Sequence, residues 1–491
     1  MGLNIDRSEF QPEEYIQARI KLGENLDALE QVLRRPGFGV GETSVGAELE
    51  MNIVDDQGWP LPVNRSVLAE ALDPHLQLEL DNFNLEYNVS PVPAAGTPFT
   101  AMRDELERAL ELLGRITARY GGRIVPVGIL PTLTLDHLQS SALTDLPRYH
   151  ALSAGIRRIR QTGFHIRING DEPLDTCCDS VAIEGANTSF QLHLRVDPGE
   201  FARLYNAAQL ATPLVLSVAA NSPFLLGHSL WDETRVALFK QSVDTRGGTR
   251  AEWRQAARVP FGNGWVRHGA YELFAEACHL YPILIPLRSD EDATAVTAAG
   301  GIPELLELRL HQGTIWNWNR PVYDASAGGH LRIEMRALPS GPTPIDMMAN
   351  AAFLLGLTVG LSSSIDSLLP AFPFRYAEYN FYRAAQHGLR AELLWPTLDG
   401  SSPRQVVART LCHEMLENAD RGLEELGIDV AERRSLLGLI AERLKQGTTP
   451  AEWQRRTLAS FESLPRQEAL ARLVETYVTM IATGRPVTEW K

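Results

Sequence analysis

Acidic, imidazole and guanidinium side chains fall at alternate positions in four short segments: residues 44–53, 84–90, 189–196 and 331–337. In a β-strand, successive side chains point to opposite faces. Glu48, Glu50 and Asn52 therefore share one face, and Val45, Ala47, Leu49, Met51 and Ile53 share the other. The same alternation sets Glu86 against Leu85 and Tyr87. It sets Gln191, His193 and Arg195 against Leu192 and Leu194, and Arg332, Glu334 and Arg336 against Ile333 and Met335. A sheet built from these strands has one apolar face for helices. Its other face carries carboxylates, a histidine and arginines. Hard divalent cations take oxygen ligands and share them with phosphates, so that face suits Mg²⁺ and a nucleotide. Each row alone also fits a solvated edge or a cross-strand ion-pair ladder. It is the repetition across four segments that points to a site.

The elements that must hold these rows are legible as patterns. Helical spacing runs over residues 11–34, 98–120, 199–220 and 343–363. Gly58, Trp59 and Pro60 mark a turn. The apolar phase slips between Leu80 and Leu85, which places a bulge or turn at residues 81–83 and leaves open whether Glu79 or Asp81 joins the polar face. Residues 122–130 read as a further strand. From about residue 375 the pattern is helical, with breaks at residues 399–403, at Gly427 and at residues 447–450. Strands alternating with helices indicate a helix-covered sheet. The expected fold class is α+β: a mostly antiparallel sheet with helices on its outer face, in a catalytic domain at residues 1–390, and a helical C-terminal subdomain at residues 391–491.

The chain has 491 residues, with 46 basic and 61 acidic side chains and a formal net charge of −15. Such a balance disfavours a general nucleic-acid or membrane-surface binder, though locally focused arginines still suit ATP. The four cysteines, Cys177, Cys178, Cys278 and Cys412, form no CxxC pair, so neither a zinc site nor a disulfide framework is expected. They read as free thiols of a cytoplasmic protein. The first residues show no basic segment followed by an apolar one, the mark of a signal peptide. The most apolar run, residues 347–364, reads as a buried helix and not a membrane span.

The segments GAELEMNIVD, NLEYNVSPV, LPRYHAL, SFQLHLRV, AANSPF, GTIWNWNRP and LRIEMRA, in that order, resemble the glutamate–cysteine ligase family, specifically its bacterial carboxylate–amine ligase branch. The tail segment LKQGTTPAEWQRRTL is similar to a late helical stretch of that branch. The resemblance implies a cup-shaped antiparallel sheet related to glutamine synthetase. It also implies ATP- and Mg²⁺-dependent joining of a carboxylate, glutamate by family, to an amine, cysteine by default, through an acyl phosphate. Carried over residue by residue, it implies metal ligation by Glu48, Glu50, Glu86, His193 and Glu334. Arg235, Arg320 and Arg336 match the arginines that hold substrate and transferring phosphate. His193, Arg195 and Arg332 are expected at the nucleotide. Asn88 and Ser90 stand where the family usually has threonine, and Arg195 where many members have a small polar residue or histidine. A ligase for another acid and amine, or a non-catalytic nucleotide-binding paralogue acting through partners, are the alternatives. A homo-oligomer is compatible with either.

Overall fold

A computed structural model describes residues 5–247, 255–397 and 402–491. Its principal sheet has seven strands: β1 Ser44–Val54, β2 Leu76–Leu78, β3 Asn84–Pro93, β4 Arg123–Val125, β5 Phe190–Val196, β6 Asn319–Asp324 and β7 His330–Met335. They lie in the order β6-β7-β5-β1-β3-β2, with β4 on the far end of β1, and every pairing is antiparallel. The sheet curls into a half-barrel, as the right-handed twist of strands favours.

The alternation read from the sequence decides which face is covered. Val45, Ala47, Leu49, Met51 and Ile53 are exposed by 3% or less. Helices α2 (Pro98–Ala118) and α4 (Phe201–Ala219) pack on that apolar side; α1 (Pro12–Leu33) precedes α2 in the chain, and α3 (Pro147–Arg160) precedes α4. The uncharged run expected to be buried forms α5 (Pro344–Ser362), which is long and apolar enough to cross a membrane but is 89% buried within the fold. Its start is set by Thr343, whose hydroxyl accepts from the Asp346 backbone N–H, and by Pro344 in the first turn.

Helices α6 (Leu416–Glu425), α7 (Val430–Gln446), α8 (Pro450–Ala459) and α9 (Arg466–Ile481) complete the C-terminal subdomain. At the crossing of α6 on α5, Gly422 lies so near Gly356 that a methyl group on Gly422 would land on the Gly356 carbonyl. Arg443 of α7 meets Asp346 at 2.6 Å, both side chains fully buried, and also donates to Asn350. This ion pair ties the subdomain to the helical layer.

Two expectations are corrected. The stretch after residue 391 opens with a two-stranded hairpin, Glu392–Trp395 and Arg404–Val407, before the helices begin. Of residues 122–130 only Arg123–Val125 pairs as strand, because β1 offers partners only at Asn52, Ile53 and Val54. A separate hairpin, Phe164–Ile168 with Leu174–Cys178, was not anticipated. The expected breaks at Gly427 and Gly447 are real: each closes a helix with positive φ, +77° and +70°. Residues 399–401 lie outside the described residues. All four cysteines are free.

Candidate active site

The register of the sheet brings the four polar rows together. Across β6, β7 and β5, Arg320 pairs with Glu334, and Glu334 with His193. Across β5, β1 and β3, Gln191 pairs with Glu48, and Glu50 with Glu86. The concave face holds a cavity of about 260 Å³. Glu48, Glu50, Glu79, Glu86, Glu184 and Glu334 line it, with His193, Arg148, Arg309, Arg320, Arg332 and Arg336.

At its centre, His193 Nε2 lies 3.2 Å from Glu48 Oε1 and 3.7 Å from Glu334 Oε1. One ligand atom from each of these three buried residues falls within 4.8 Å of the others. The alignment is not that of a hydrogen bond, and His193 Nε2 has no hydrogen-bond partner among the described residues. Two carboxylates and an orphaned imidazole nitrogen at this spacing are a donor set that fits a hard divalent cation.

Charge divides the cavity into two ends. Burial works against ionisation of Glu334, but Arg320, in direct contact, and Arg336 at 3.2 Å outweigh it and hold its carboxyl at about 2. At the other end carboxylates crowd without enough cations. Burial, then Glu86, pushes Glu50 up to about 7. Burial, then Glu48, pushes Glu86 up to about 8. Burial, then Glu79 and Glu50, pushes Glu184 up to about 8. Divalent cations relieve this kind of repulsion.

The remaining expected residues divide as follows. Arg336 contacts Gln191 as well as Glu334. Arg332 lines the cavity and donates to Asp324 at 2.7 Å. Arg195 does not line it. One pleat, about 7 Å, beyond His193 on β5, it packs its guanidinium against Gly41. Arg235 is also displaced from the expected clamp. It is fully buried, and its donors are taken by Glu233 at 2.6 Å and the Ala337 carbonyl at 2.6 Å. It borders only a smaller chamber beside the main cavity. Of the two acids left open, Glu79 faces the cavity, while Asp81 turns under Gly185. Trp316 lines the cavity, and Trp318 packs edge-on against Phe239 in the core.

Sequence reasoning missed Glu184, Arg148 and Arg309. Arg148 sits on α3 with its guanidinium over the Tyr149 ring at 4.7 Å; Glu79 and Glu86 act on it at longer range, but it forms no carboxylate ion pair among the described residues. It lies in the LPRYHAL segment already singled out. Glu184 ends a single 3₁₀ turn, Val181–Glu184, where no periodicity marks a face.

Set beside known proteins, residues 44–476 match the model of glutamate–cysteine ligase family 2, GCS2. The chain belongs to this family. It is accordingly an ATP-dependent carboxylate–amine ligase of the GCS2 type, on a glutamine synthetase-like fold. A Nocardia farcinica (strain IFM 10152) protein is 24% identical over 391 residues, 78% of this chain and 82% of its own length. It is named as a glutamate–cysteine ligase 2-1, a name that itself marks the assignment as provisional. The solved glutamate–cysteine ligase of Francisella tularensis, in complex with AMP, superposes with a TM-score of 0.52 at 10% identity over 90% of both chains, a likeness of fold.

Proposed function

We propose that this GCS2 ligase joins the γ-carboxyl of glutamate to the amino group of cysteine, with Mg²⁺-bound ATP and through an acyl phosphate. The observation that carries the reading is the meeting of Glu48, His193 and Glu334, from three strands, within ligand distance of one another. Glu48, Glu86, His193 and Glu334, with Glu50 beside them, are the residues that would hold the cation. A divalent cation there would screen the phosphate oxygens and neutralise charge that builds as the terminal phosphoryl group moves.

The chain's own groups supply the rest. A substrate carboxylate oxygen attacks the γ-phosphorus and ADP departs. The amine then attacks the acyl carbon and phosphate departs, with loss of the amine's proton. Arg320 and Arg336 face the position where phosphoryl charge develops, and Arg332 at the rim suits the nucleotide phosphates. Arg148, the cavity arginine without a carboxylate ion pair among the described residues, suits a carboxylate of the substrate. Phe274, Ile285, Leu310 and Trp316 make an apolar wall that suits a planar base.

The test is phosphate release from ATP and Mg²⁺ across a panel of acids and amines. Turnover that requires glutamate and cysteine together supports the proposal. Turnover only with another pair rejects these substrates and keeps the ligase chemistry. Saturable ATP binding with no acid- or amine-dependent turnover rejects catalysis by this site.

A further inference from the structure

Beside the main cavity lies a chamber of about 30 Å³. Glu50, Glu79, Glu184 and Arg336 line both spaces, so the chamber opens directly off the acidic end. Its size admits one group as large as a water molecule or an ammonium, and no side chain. Its walls include buried hydrogen-bond acceptors. Asn84 and Asn187 line it, 2% and 9% exposed, and the Oδ1 atom of each has no hydrogen-bond partner among the described residues. The orientation of both amides is fixed. Asn84 Nδ2 donates to Asn52 Oδ1 at 3.0 Å, and Asn187 Nδ2 donates to the Glu184 carbonyl at 2.8 Å. In each case the oxygen is the atom left over. A buried acceptor without a donor costs about 1–3 kcal/mol, so two of them in one small space call for a donor between them.

The charge of the walls narrows the donor. The two arginines at the chamber are ion-paired, Arg235 to Glu233 and Arg336 to Glu334, although Arg336 Nε has no hydrogen-bond partner among the described residues. Arg148 acts on Glu79 and Arg336 on Glu184 at longer range, without an ion pair to either among the described residues, so acid is in excess over base at these walls. A cationic donor is favoured over a neutral one. Resting on the ligase reading above, we infer that this chamber receives the amino nitrogen of the acceptor substrate and confines the enzyme to unsubstituted primary amines. Asn84, Glu79, Glu184 and Asn187 hold the nitrogen, and the rest of the acceptor stays in the main cavity. An N-methyl group has no room beside them.

The experiment separates this step from the first half-reaction. Acid-dependent positional isotope exchange in ATP reports acyl-phosphate formation before any amine enters. Amide formation is then measured with a primary amine and its N-methyl analogue. In wild type, the N-methyl analogue is expected to be rejected. Asn187→Leu is expected to keep isotope exchange within about threefold and to raise the amine KM about tenfold or more, the scale of one lost hydrogen bond to a charged group. Asn187→Ala, which only removes atoms, carries the same test where the leucine variant fails to fold, and it should admit the N-methyl amine. An unchanged amine KM in these variants means that the chamber holds a buried water only and overturns the inference. Equal loss of isotope exchange and amide formation also overturns it, since the residues would then support the fold. Absence of acid-dependent exchange in wild type sinks the ligase reading itself, a failure distinct from the other two.

Discussion

Replacing Glu334 by glutamine keeps its volume and removes its charge, and the structure sets the consequence. Glu334 is 1% exposed and meets three cationic or ionisable groups: Arg320 in contact, Arg336 at 3.2 Å and His193 at 3.7 Å. Its carboxyl is held near 2 against an ordinary value of 4.5. That difference of about 2.5 units corresponds to about 3 kcal/mol of native-state stability at neutral pH. The cost of stripping one partner from a buried ion pair, about 3–5 kcal/mol, agrees in scale. A depressed carboxylate contributes fully above its unfolded value and loses the contribution as pH falls through its folded one. The window therefore runs from about 4.5 down to about 2, and at about pH 3.5 roughly 2 kcal/mol should remain. The assay is urea unfolding of wild type and Glu334→Gln, followed by tryptophan fluorescence without divalent cation, at neutral pH and near pH 3.5. Ligase activity of the variant should also fall by about 10² or more, on the scale of removing a preorganised charge from a transition-state site. Equal stability at neutral pH, or full activity, would refute the placement of this residue at the hub of the site.

Three further outcomes are expected. The carboxyls of Glu50, Glu86 and Glu184 are raised to about 7, 8 and 8; for raised acids the penalty is absent below about pH 4.5 and grows as pH climbs toward the folded values, so cation-free protein should lose thermal stability between about pH 5 and pH 8, and Mg²⁺ should raise the melting temperature more at pH 8 than at pH 6. Arg148→Met should raise KM for a carboxylate-bearing substrate by about tenfold or more with little change in the ATP KM, and equal KM values in initial-rate kinetics would exclude a substrate role. Arg235→Met should destabilise the fold by about 3–5 kcal/mol in chemical denaturation, because Glu233, fully buried, loses its 2.6 Å partner.

The site was legible wherever a strand presents it. Period-two alternation is enough to place Glu48 with Glu50, and Glu334 with Arg336, on one face, because that period is a property of the backbone alone. What alternation cannot supply is register. Nothing local says that Glu334 lies opposite His193, or that Arg195, one pleat further on, falls outside the cavity. Arg235 shows a different limit. Its motif neighbours suggest an active-site arm, yet Glu233, two residues before it, captures the guanidinium inside the core. Glu184 ends a short turn, and only the folded chain carries it to Glu79 and Glu50. The phase slip before Leu85 was real, and the chain does turn there at Asn82 and Phe83, but the choice of Glu79 over Asp81 depended on how that turn packs against Gly185. The hairpin at Glu392–Trp395 was hidden because its residues suit a helix equally well.

Strand β1 touches β3, β4 and β5, and β5 in turn carries β7. During synthesis, Glu48 leaves the ribosome well before Glu334. A nascent chain stopped before β7 carries Glu48, Glu50, Glu86 and Glu184 but lacks both Glu334 and Arg336. Any fragment ending there would be left with mutually repelling carboxylates, so the capacity to spend nucleotide arrives late, when the last segments dock.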